Sequence, residues 1–115
     1  MDEKTILNEA KSIIKSAEEP IADSIGGKIS AITRRAIYYN MDRAMSILSD
    51  LVAADEEPEG VDTIDESFQL VRIAFGLFDR ALDTEISGKD RSDIVLLLEL
   101  ATRGINTVLE DLEAA

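Results

Sequence analysis

Between residues 61 and 82, apolar side chains return in alternating steps of three and four: Val61, Ile64, Phe68, Val71, Phe75, Phe78 and Leu82. A strand cannot hold that spacing on one face, whereas an α-helix at 3.6 residues per turn holds it turn after turn. The pattern predicts a helix that buries a seam against other helices. All three Phe of the chain lie on this seam, which makes it the expected centre of the core. A second set, Leu70, Ile73, Ala74, Leu77 and Ala81, widens the apolar arc to about 220°. Asp65, Gln69, Arg72, Gly76, Asp79 and Asp83 are left on the polar side.

The rest of the chain repeats the theme. Residues 2–18 place Ile6, Leu7, Ala10, Ile13, Ile14 and Ala17 on one stripe, with Asp2 and Glu3 at the end where a helix dipole favours acid. Residues 19–28 read as a hinge, in which Pro20 opens a short extra helical turn and Gly26-Gly27 ends it. A second helix over 29–54 carries the seam Ile37, Met41, Ala44, Leu48 and Leu51. An acidic loop at 55–62 follows. The third helix, 63–86, has Thr63 and Glu66 as a capping box and Gly88 as its stop. The fourth, 91–113, has the seam Ile94, Leu98, Ala101, Ile105, Val108 and Leu112.

No segment reads as a strand. Seams of this kind suit helices crossing at about 20°, and short connections imply antiparallel neighbours. The expected fold is one all-α domain, residues 1–115: an antiparallel four-helix bundle with a short extra helical turn between helices 1 and 2. The segment MDRAMSIL at Met41–Leu48 echoes FDRALDTE at Phe78–Glu85, but convergent heptad patterning accounts for eight similar positions as well as duplication does.

Composition narrows the function. The chain has 115 residues with no Cys and no His, which removes disulfides, thiolate chemistry, the commonest transition-metal ligand and the usual general base. Asp and Glu number 24 against 12 Lys and Arg, a net charge of -12. Such a surface disfavours direct nucleic-acid binding and anionic membranes, and favours basic protein partners. An adaptation to high salt fits the charge but not the preference for Ile over Val. No apolar run is long enough to span a bilayer. The acidic, amphipathic start is unlike a signal peptide, so a cytoplasmic location is expected.

A carboxylate-bridged metal site is the enzyme chemistry most suited to a helical bundle. Glu99 is the best inward candidate, but an ion pair with Arg103 one turn on explains it more simply. Ser and Thr are present without a base of near-neutral pKa. The segment SIGGKIS precedes a helix but lacks the phosphate-loop spacing and a preceding strand. No catalytic residue, metal or cofactor is expected, and the chain is read as a non-enzyme.

Three surfaces could meet a partner. Leu70, Ile73 and Leu77 on the third helix, with Leu96 and Leu100 on the fourth, form an apolar shoulder beyond the seams. Asp55, Glu56, Glu57, Glu59, Asp62, Asp65 and Glu66 form an acidic surface. Lys28, Arg34, Arg35 and Arg43 form a basic island beside Tyr38 and Tyr39. The shoulder carries the preferred reading: a helical protein–protein interaction module, regulatory, adaptor or inhibitor in role, acting as a homodimer. The alternative is an acidic nucleic-acid mimic that blocks a basic nucleic-acid-binding protein, as phage and mobile-element inhibitors do.

Overall fold

The computed structural model describes residues 2–24, 26–54, 58, 60–81 and 85–114. These form four α-helices and no strand: α1 (Glu3–Ala22), α2 (Ala31–Val52), α3 (Val61–Arg80) and α4 (Gly88–Ala114). The 27 residues of α4 are about 40 Å long at 1.5 Å per residue. The molecule measures 44 × 22 × 18 Å, so this helix must lie along its long axis. Among the described residues, α1 packs on α2, α2 on α3, α3 on α4 and α4 on α1, and the backbones of the two diagonal pairs stay apart.

Polar side chains cap three of the helix starts. Asp2 accepts a hydrogen bond of 2.8 Å from the Thr5 amide, and this bond holds its carboxyl below the usual range. Ser30 accepts from the Thr33 amide at 3.2 Å, and Ser87 from the Asp90 amide at 3.1 Å. The start of α3 differs. Gly60 stands in the left-handed region (φ 75°) with no side-chain cap, and its carbonyl accepts from the Ile64 amide at 3.0 Å.

That geometry overturns the expected capping box. Gly60 turns the chain directly into the helix, so Thr63 and Glu66 lie within α3 rather than at its edge. Only glycine reaches this conformation at low cost, and a Cβ here would also strike the Val108 side chain at 2.9 Å. Gly88 is a second correction. It does not stop α3, which ends at Arg80; it opens α4 behind the Ser87 cap. Between them Ile86 is buried and donates its amide to the Gly27 carbonyl oxygen at 3.3 Å, binding the α3–α4 connection to the α1–α2 connection.

The separate helical turn expected after residue 18 is absent from the described residues, because α1 itself continues through Pro20 to Ala22. Proline lacks an amide to donate, but the helix still gains from carrying Ile21, which is fully buried. The Asp23 amide then bonds Glu19 O at 2.9 Å, and the Ser24 hydroxyl bonds Ile21 O at 2.8 Å, closing the end.

The seams of α2 and α4 lie where the sequence places them. Ile37, Met41, Ala44, Leu48 and Leu51 are buried, as are Ile94, Leu98, Ala101, Ile105 and Val108, while Leu112 is half-buried. On α3 the expected seam is rotated. The buried line is Ile64, Ser67, Val71, Ala74 and Phe78; Val61, Phe68 and Phe75 are half-buried on its flank. Two of these buried positions carry small side chains, Ser67 and Ala74, and Ser67 faces Gly104 of α4. Phe75 packs instead on Tyr38 of α2, with ring centroids 4.7 Å apart.

Candidate functional site

The apolar shoulder divides. Leu70 and Leu77 are half-buried against the core, whereas Ile73 and Leu96 stand 51% and 52% exposed and Leu100 36%. The three exposed residues lie on α3 and α4, which pack together.

Of the acidic surface, Asp62 and Glu66 are exposed and Asp65 is half-buried, all near the start of α3. Asp55, Glu56, Glu57 and Glu59 lie outside the described residues.

The basic island is partly neutralised by the chain itself. Arg43 meets Glu9 of α1 at 2.6 Å, and Lys28 meets Glu85 at 3.7 Å. Arg34 is half-buried and engaged. Arg35 is exposed and makes no ion pair with a described residue. Together with Tyr38, Tyr39 and Asp42 it lines a largely apolar hollow of about 320 Å³ on α2. Ile32, one turn earlier, is 82% exposed, more than any other large apolar side chain described. The sequence reading missed Ile32. Its signal was the seven-residue step to Tyr39, which places both off the buried seam and on the outer face.

Two of the remaining clefts carry charged side chains of α1. One of about 390 Å³ lies between α1 and α2, lined by Ile6, Glu9, Arg43, Ile47, Asp50 and Leu51 among others, with the Arg43–Glu9 pair across it. The other, about 150 Å³, lies between α1 and α4 and gathers Lys15, Glu18, Glu99, Thr102 and Arg103. The expected Glu99–Arg103 ion pair is not formed. Glu99 instead acts on Glu18, whose carboxyl is pushed up by partial burial and then by the Glu99 charge.

Segment 26–30 spends its polar groups internally: the Gly27 carbonyl takes the Ile86 amide, and the Ser30 hydroxyl caps α2. Among the described residues no three acidic side chains converge as a metal site, and no helix is long and apolar enough to cross a membrane. No protein-family model, curated protein or solved structure matches the chain.

Proposed function

We propose that the chain is a non-enzymatic interaction module, an antiparallel four-helix bundle that binds a protein partner and associates with itself. The observation that carries this reading is the exposure of Ile73, Leu96 and Leu100 on two helices packed together. Ser67 meets Ala101, and Gly60 meets Val108. Continued along antiparallel helices, that register brings Ile73 level with Val95 and Leu70 level with Leu98. We read the three exposed side chains as one patch with Leu70 and Leu77 as its floor, Leu96 also bordering the cleft beside Ala22 and Glu99. Clustered apolar exposure on a highly charged surface is characteristic of interfaces. A regulatory, adaptor or inhibitor role in the cytoplasm fits such a module.

The test is a triple variant, Ile73→Ser, Leu96→Ser and Leu100→Ser. All three sites are exposed, so the variant is expected to fold, as circular dichroism checks, and to lose partners captured by the parent from its native host. An unchanged set of captured partners overturns the reading. If capture instead fails on charge reversal at Glu56, Glu57, Glu59 and Asp65 and weakens steeply with salt, the acidic mimic replaces it.

A further inference from the structure

We infer that the outer face of α2 is where a second copy of this chain docks, about a twofold axis passing between Tyr38 and Tyr39. The inference rests on the reading of the chain as a self-associating module, but assigns the homodimer to α2 and leaves the α3–α4 shoulder to another partner.

Arg35, Tyr38, Tyr39 and Asp42 follow one another at steps of three, one and three, so all four fall within two turns on one side of α2. They surround a single hollow. The order is self-complementary: two tyrosines in the middle, a cation one turn before them and an anion one turn after. Most homodimers are twofold, and in a twofold contact residue i meets j while j meets i. Two α2 helices laid side by side about that axis run in opposite directions. Each position then faces the one equally far from the centre on the other copy. Arg35 meets Asp42 of the second copy, twice over, and Tyr38 meets Tyr39 of the second copy. One turn further out, the exposed Ile32 comes level with Met45 of the second copy, which is half-buried against its own core. Ala31 and Ser46, small and exposed, also come opposite each other and allow the backbones to approach.

The charges point to the same face. Two copies each carrying -12 repel, so they meet at least cost where a face carries no net negative charge. The docking face of α2 meets that condition, with Arg35 balancing Asp42, while the neighbouring Arg43 and Lys28 pair with Glu9 and Glu85 and Arg34 is engaged. Arg35 and Asp42 make no ion pair with a described residue. On their own helix they stand about 10 Å apart along the axis, too far to pair with each other. A second copy supplies the partner for both. The face also holds Ile32 and Tyr39, the two most exposed large apolar side chains described, at 82% and 62%.

Sedimentation equilibrium of the full chain tests the arrangement with Arg35→Glu, Asp42→Arg, the double variant, and an equimolar mixture of the two single variants. The parent is expected to dimerise. Each single variant turns two attractive pairs into two repulsive ones, so its dissociation constant should rise at least about tenfold. The double variant restores both pairs. So does the mixture: the acid placed at 35 meets the base placed at 42, and the unaltered Arg35 and Asp42 meet each other. Rescue by mixing cannot arise from misfolding or from a general change in net charge. A parent that stays monomeric, single variants that associate normally, or a mixture and double variant that fail to recover would each overturn the proposal. The triple shoulder variant separates this inference from the reading beneath it. If that variant loses the dimer while the α2 variants keep it, the α2 site is wrong and the interaction module stands. If the α2 variants behave as expected while the shoulder variant keeps every captured partner, the α2 dimer stands and the shoulder reading is wrong.

Discussion

The buried hydroxyl of Ser67 on α3 donates a 3.0 Å hydrogen bond to the carbonyl oxygen of Ala101 on α4. That bond depends on Gly104, one turn further along α4, because a Cβ at 104 would collide with the Ser67 oxygen. Gly104→Ala gains about 1 kcal/mol in helix propensity but must displace a buried hydroxyl or part the helices. We expect a net loss of about 2 kcal/mol in urea unfolding. In a Ser67→Ala background the collision disappears, since the nearest remaining atom is Thr63 Cγ2 at 3.5 Å. There Gly104→Ala should be neutral or stabilising. A double-mutant cycle with no coupling would show that the two residues do not share one space.

Gly76 lies inside α3, exposed, and a Cβ there would meet nothing within 4 Å beyond its own chain neighbours and helix backbone. Nothing opposes the gain in helix propensity. Gly76→Ala should therefore stabilise the chain by about 0.5–1 kcal/mol, seen as a higher urea midpoint with an unchanged slope.

These two glycines mark where the sequence was legible and where it was not. The seams of α2 and α4 could be read directly, because Ile37 to Leu51 and Ile94 to Val108 leave one apolar direction on each helix. On α3 apolar residues fill more than half the circumference, so periodicity alone cannot choose the inward direction. The choice falls to Ser67 and Ala74, small enough for a close neighbour, and the reason lies in Gly104 on another helix. Helix ends failed in the same way. Thr63 and Gly88 carry good local signals, but Gly60 against Val108 and Ile86 against Gly27 decide the boundaries through contacts distant in sequence. Periodicity put Leu70, Ile73, Leu77, Leu96 and Leu100 outside the seams but could not divide covered Leu70 and Leu77 from open Ile73, Leu96 and Leu100. The outer α2 face was only half seen, because its tyrosines and arginines were noted without Ile32.

Gly26 and Gly27 both have positive φ, 62° and 74°, yet they should respond differently to substitution. A Cβ on Gly26 meets open space, so Gly26→Ala costs only the left-handed strain of about 1–2 kcal/mol. A Cβ on Gly27 runs into the Ile86 backbone carbonyl and disturbs the bond that joins the two connections. Gly27→Ala should lose roughly 2 kcal/mol more than Gly26→Ala. Equal losses in urea unfolding would mean that the contact between connections contributes little.

Glu18 on α1 gives a pH dependence of definite sign. Its carboxyl is raised first by burial and next by Glu99 across on α4, with Glu19 adding slightly and Lys15 opposing. In the unfolded chain these influences are gone. Folded Glu18 therefore keeps its proton to higher pH than unfolded Glu18, and over that window the folded state binds more protons. Stability must then fall as pH rises through the window, and the penalty is complete above the folded value. Below the unfolded value, about 4.3, both states are protonated and the penalty vanishes. Glu18→Gln keeps the shape and removes the ionisation. It should melt higher than the parent at pH 7, and the advantage should shrink as pH falls below the carboxylate range. Glu99→Gln should relieve part of the same penalty at pH 7 through the lost repulsion. Comparing each variant with the parent at the same pH cancels the titration of the chain's other carboxylates. Thermal melts at pH 7 and about pH 3.5, below the ordinary carboxylate values, decide the matter: an advantage for Glu18→Gln that persists at low pH would assign it to packing and remove the Glu18–Glu99 repulsion as its cause.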